Sequence, residues 1–198
     1  MTRRTLLWVV VALVVMVVEL GATIGTVTGA PFAPVGGWGA TRPVDELGFV
    51  AVVLGCGALS LLGRFPITAA TLATASYMLF AVRDHELGMF LPPMIALVAL
   101  AARPRHLVVA IVLALVSLAA GLGWVAHRAA PIADPGVALL AWVAFGAVLA
   151  AFFLVPVLVG EIIRARSALR DASSSAVAPM RTRQPDGGLV QGPYGGDW

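Results

Sequence analysis

The chain has 198 residues, 60% of them apolar and only 12% charged, with a formal net charge of +3. Soluble domains run near half apolar and about a quarter charged, so the composition excludes an ordinary soluble domain. The apolar excess falls into long blocks, which makes this an integral membrane protein whose main partner is the lipid bilayer. All thirteen basic residues are arginine. They gather at segment ends, where a membrane surface accounts for them better than a nucleic-acid stripe, so no nucleic-acid partner is expected.

A helix needs roughly 20 apolar residues, with about 17 as a lower limit, to cross ~30 Å of hydrocarbon. Six segments are candidates, the second to fourth of them short: residues 6–29, 46–63, 66–82, 87–102, 107–126 and 136–163. The fold class is therefore all-α, a polytopic membrane helical bundle of about six transmembrane helices. The first segment follows Thr2-Arg3-Arg4-Thr5-Leu6-Leu7, a start that resembles a twin-arginine export signal. Its apolar core is long and a cut after Ala30 would face Pro31, so a retained helix is expected. The loop 30–45 is rich in glycine and proline, with Trp38 as an interfacial anchor. The fourth segment is the weakest, and its Pro92-Pro93 is expected in the first turn, where proline is tolerated. The last is long enough to tilt or protrude, and it feeds Arg164, Arg166 and Arg170.

Placing the N-terminus inside leaves ten arginines cytoplasmic and only Arg42, Arg83 and Arg128 outside. Both termini then lie on the cytoplasmic side of a cell membrane crossed six times. After Ala172 the chain turns to Ser173-Ser174-Ser175 and a series of Pro and Gly breakers. This divides it into a membrane domain with a helical exit, 1–172, and a tail, 173–198, predicted to be disordered and cytoplasmic.

Few residues offer chemistry. Glu19 is the one ionisable group deep in an apolar segment, some 20 Å along the first helix at ~1.5 Å per residue. Thr23 and Thr26 follow it on one face. An intramembrane acid is either a functional group, such as a proton relay or counter-ion, or a packing residue bonded to a neighbouring helix. Gly21, Gly25 and Gly29 form a G-x-x-x-G-x-x-x-G repeat, which suits dimerisation or internal packing equally. Asp84, His85 and Glu86, with His127 and Asp134 on the same predicted side, offer a pH-sensitive or metal-binding site, or simply polar loops. Their spacing matches no metal motif, and His106 falls on the opposite side. Cys56 lies alone in an apolar segment, so it forms no internal disulfide and reads as a small packing residue. Phosphate loops, H-E-x-x-H, C-x-x-C and G-x-S-x-G do not occur, so neither an enzyme nor a cofactor is expected.

The layout resembles the N-terminal membrane region, or input region, of actinobacterial sensor histidine kinases of two-component systems. The resemblance covers roughly residues 42–172. It rests on Leu62-Gly63-Arg64-Phe65-Pro66, on Thr71-Leu72-Ala73-Thr74-Ala75-Ser76-Tyr77, on Ala101-Ala102-Arg103-Pro104-Arg105 and on the exit Arg164-Ala165-Arg166-Ser167-Ala168-Leu169-Arg170-Asp171. The arginine-only, Ala/Val/Leu/Gly-rich usage fits the same high-GC source. The resemblance implies a sensory module that drives a kinase through its last helix. Here Ile162, Ala165 and Leu169 give one heptad of seam, short of a coiled coil. Neither a phosphoacceptor box nor an ATP-binding part follows. The expectation is thus a sensor or signal relay acting on a homodimer or on a membrane signalling partner with a kinase core. A small permease or permease subunit using Glu19, or an accessory subunit of a membrane complex, is the alternative.

Overall fold

The computed structural model describes the backbone of residues 3–28, 42–85 and 88–181. Six α-helices account for nearly all of it: α1 (Arg3–Thr28), α2 (Glu46–Ala58), α3 (Pro66–Val82), α4 (Leu91–Ala101), α5 (Leu107–Ala129) and α6 (Pro135–Arg181). A 3-10 stretch, Leu59–Gly63, prolongs α2, and another, Pro104–His106, leads into α5. No strand forms among the described residues; a lone bridge joins Arg42 to His85. The chain divides into two compact units, 1–164 and 165–198. The first holds the bundle; the second, in its described part, is helix.

Four stretches are long and apolar enough to cross a membrane, 5–25, 46–63, 104–129 and 135–170, while α3 and α4 are shorter. The bundle carries a surface that water would not tolerate. Val14, Val17, Leu54, Val108, Leu139 and Leu140 are among many large apolar side chains left exposed, Val17 at 71%. A contiguous apolar exterior of this kind is a lipid-facing surface, since soluble monomers keep such patches to a few hundred Å².

Without a hydrophobic force between helices in lipid, close packing depends on small residues. The core shows this directly. α3 packs against α2, α4 and α5 and buries Ala69, Ala70, Ala73, Thr74, Tyr77 and Phe80. α5 presents Ala110, Ala114, Ser117 and Gly121 to the interior, a stripe at helical spacing. α2 meets α3 so closely at Gly55 that a side chain there would run into Met89 and Ser76. α6 buries Leu149, Phe153, Val157 and Gly160. At Gly160 an added Cβ would stand 2.6 Å from Ala101 Cβ and 2.8 Å from the Val98 carbonyl oxygen, so backbone lies against backbone.

Several boundaries differ from the sequence expectation. α4 begins at Leu91 rather than at residue 87, because residues 88–90 are not helical. Pro92 and Pro93 do sit in its first turn. α6 runs to Arg181, whereas the serine run at 173 predicted an end to regular structure. The remainder of the expected tail, 182–198, lies outside the described residues, as do Gly29, Trp38 and Glu86.

Candidate functional site: a capped half-helix and an ionic cluster

Glu19 falls on the inward stripe of α1, with Ala12, Val15 and Thr23, and is only 2% exposed. Thr23 is its immediate neighbour on that face and donates its hydroxyl to the Glu19 carbonyl at 2.7 Å. The Glu19 carboxylate reaches across to α4, where Oε1 accepts the Leu91 N–H at 3.0 Å. That amide opens α4, and the first turn of any helix leaves N–H groups without partners. Here Leu91 is served by Glu19, Pro92 and Pro93 have no N–H, and the Met94 N–H reaches the Phe90 carbonyl at 3.1 Å. An acid also suits the positive end of the helix dipole. Glu19 is therefore the N-terminal cap of α4, supplied by another helix.

The cap explains how so short a helix stands inside an apolar bundle. Eleven residues at ~1.5 Å each give about 16 Å, roughly half of the ~30 Å hydrocarbon thickness. Non-helical backbone at membrane depth survives only where protein covers it. Met89, just before α4, is fully buried, and Phe90 packs on Tyr77, Phe152 and Phe153 with ring centroids 4.9 to 6.2 Å apart. The far end of α4 is fixed as well. Arg103 donates to the Leu62 carbonyl at 2.8 Å, and Gly160 of α6 touches Ala101 and Ala102.

At the other end of the bundle, α2, α3 and α5 meet in an ionic cluster. Asp45 caps α2 by accepting the Gly48 N–H at 3.0 Å and pairs with Arg83. The Gly48 bond is the main reason that the Asp45 carboxyl is held below its ordinary 3.8; partial desolvation opposes it and Arg83 assists. His85 is completely buried, with its ring 5.0 Å from Phe80. Its Nδ1 lies 3.4 Å from the Arg42 carbonyl and its Nε2 3.5 Å from Asp45 Oδ1. Asp84 takes a left-handed turn at φ 60°. This ends α3, offers the Asp84 carbonyl to the Arg42 N–H at 3.1 Å and brings the carboxylate to 3.9 Å from Arg128.

Of the residues expected at this end, Asp84 and His85 do come together. His127 does not join them; it is exposed, and Arg128 beside it points inward, 4% exposed and 5.2 Å over the Trp124 ring. Asp134 instead caps α6 through the Gly136 N–H at 2.7 Å. Sequence reasoning passed over Asp45, Arg83 and Arg128 as site residues. The signal for Arg128 was present, since it continues the α5 stripe through Ser117, Gly121 and Trp124. Among the described residues no group of three His, Cys, Asp or Glu side chains is placed to hold a metal. Gly21 and Gly25 are exposed with nothing within 4 Å of an added Cβ, so internal packing is not their role among the described residues. Thr26 contributes backbone to α1, and nothing further is described of it. Cys56 is buried in the α2 core as a free thiol.

The chain matches no family model, no curated protein and no solved structure.

Proposed function

We propose that this protein is a membrane signal-relay module, similar to the input region of a bacterial sensor histidine kinase and without catalysis of its own. The observation that carries the reading is α6. It is one helix of 47 residues, more than twice the roughly 20 that cross the hydrocarbon, and it carries Arg164, Arg166 and Arg170 beyond the apolar part. Pro156 lies within it, buried between Phe153 and Gly160, and removes one backbone hydrogen bond there, the usual place for a helix to bend. α4 is held by α1 at its start and by α6 near its end. A shift of α4 against Glu19 therefore has a mechanical route to the exit helix.

In this reading the chain crosses the cell membrane six times with both termini cytoplasmic. The short α4 fits such a crossing. His85 belongs to one end of the bundle and Arg103 to the other, and α4 supplies some 16 Å of the distance between them. The ionic cluster at the Asp45 end is the input side, and the partner is a second copy or a signalling protein bearing a kinase core. Permease use of Glu19 is the weaker reading, because one carboxylate oxygen is already committed to the α4 amide.

A photocrosslinker at Leu169, which is exposed, tests the relay in native membranes. The expected product, identified by mass spectrometry, is a signalling protein or a second copy of this chain. Adducts confined to lipid would remove the basis for the proposal.

A further inference from the structure

Where α1, α4 and α6 come together near Arg103, the bundle leaves an open groove of about 420 Å³. Trp8, Ile95, Val98, Ala99 and Ile163 make apolar walls, and Arg103 stands at one end. From Ile95 to Arg103 along α4 is eight residues, or about 12 Å, close to the depth of one leaflet of a ~30 Å hydrocarbon core. Trp8 is the kind of amphipathic ring that settles at the headgroup level. The adjoining chain is strongly basic. Residues 59–66, 100–107 and 160–164 contribute Arg64, Arg103, Arg105 and Arg164 against a single acid, Glu161, and that acid is already paired with Arg164.

We propose that this groove binds a phospholipid with an anionic headgroup. One acyl chain lies along Ile95, Val98, Ala99 and Ile163, and the headgroup phosphate meets the Arg103 guanidinium, which its bond to the Leu62 carbonyl holds in place. An apolar trough open to the bilayer takes an acyl chain, and Arg103 at its end selects the headgroup charge. The arginine surplus disfavours a second copy of this chain docking here through the same face, since like charges would meet. The inference does not depend on the relay reading.

Native mass spectrometry of the full chain tests it, with dioleoyl phosphatidylglycerol and dioleoyl phosphatidylcholine supplied in equal amounts. The expected result is one retained lipid per chain, with phosphatidylglycerol preferred about fivefold, the worth of one arginine near an anionic surface. Ala99→Phe fills the groove without altering charge and should abolish retention. Arg103→Gln keeps a donor for the Leu62 carbonyl and should abolish the preference, while Arg105→Gln, at an exposed neighbouring position, should leave it intact. Equal retention of both lipids, unchanged retention in Ala99→Phe, or equal loss in Arg105→Gln and Arg103→Gln would overturn the proposal. Should Ala99→Phe fail to fold, the two arginine variants decide the outcome alone.

Discussion

Glu19 is the residue on which the interior turns, and its chemistry separates two roles that the sequence left open. As a cap it needs an acceptor oxygen near the Leu91 N–H; as a proton carrier it would need an ionisable group. Glu19→Gln keeps an acceptor and should cost less than about 1 kcal/mol, mainly the charge–dipole contribution. Glu19→Leu leaves the buried Leu91 N–H without a partner and should cost about 1–3 kcal/mol. Equilibrium unfolding in detergent micelles measures both, and equal losses in the two variants would contradict the capping role. Asp45 gives a separate prediction in pH. Its folded pKa is depressed, so its contribution to stability is complete above the ordinary value near 4 and is lost as pH falls through the folded value. Melting temperatures of the native protein should therefore fall as pH drops below about 4, and those of Asp45→Asn should start lower and change less. Parallel profiles for the two proteins would count against the Asp45 pairing.

Among the elements, α4 and α6 depend on each other at Gly160. A side chain there would run into Ala101 Cβ, the Val98 carbonyl and the Ala102 backbone nitrogen, and backbone does not yield as a flexible side chain would. Gly160→Leu should cost about 1–3 kcal/mol by overpacking. Gly21→Leu meets open space and should be neutral or stabilising in the same unfolding measurement. This contrast shows where the sequence was legible. Periodicity and length located α2 and its 3-10 extension at 46–63 and α3 at 66–82, because their ends carry Asp45, Arg64 and Pro66. They could not locate the start of α4, since Gly88-Met89-Phe90 is as apolar as a helix would be and differs only in backbone conformation. A regular glycine repeat drew attention to the outer face of α1, while the working small residues are dispersed as Gly55, Gly121 and Gly160 among alanines. Glu19 stood out as a charge in an apolar run. Its partner is a backbone amide 72 positions away, which no side-chain pattern records. Likewise one step of about 100° along α5 exchanges His127 for Arg128 as the inward group, and only the stripe through Ser117 and Gly121 shows which one turns in.

For the whole molecule, the all-helical membrane bundle follows from composition and hydropathy, and its small-residue core and apolar exterior are those of a protein solvated by lipid. The arginine distribution predicts that reporters fused at either terminus occupy the cytoplasm and that a reporter inserted after Asp84 does not; a terminus on the far side would overturn the six-crossing reading. In the proposed relay, the seating of α4 on Glu19 would set the behaviour of α6 beyond the membrane. This transmission is tested most directly by a spin label at Leu169, in a Cys56→Ala background reconstituted into lipid nanodiscs. The spectrum should match between Glu19 and Glu19→Gln and change in mobility and solvent accessibility in Glu19→Leu. Identical spectra in all three folded proteins would contradict the relay.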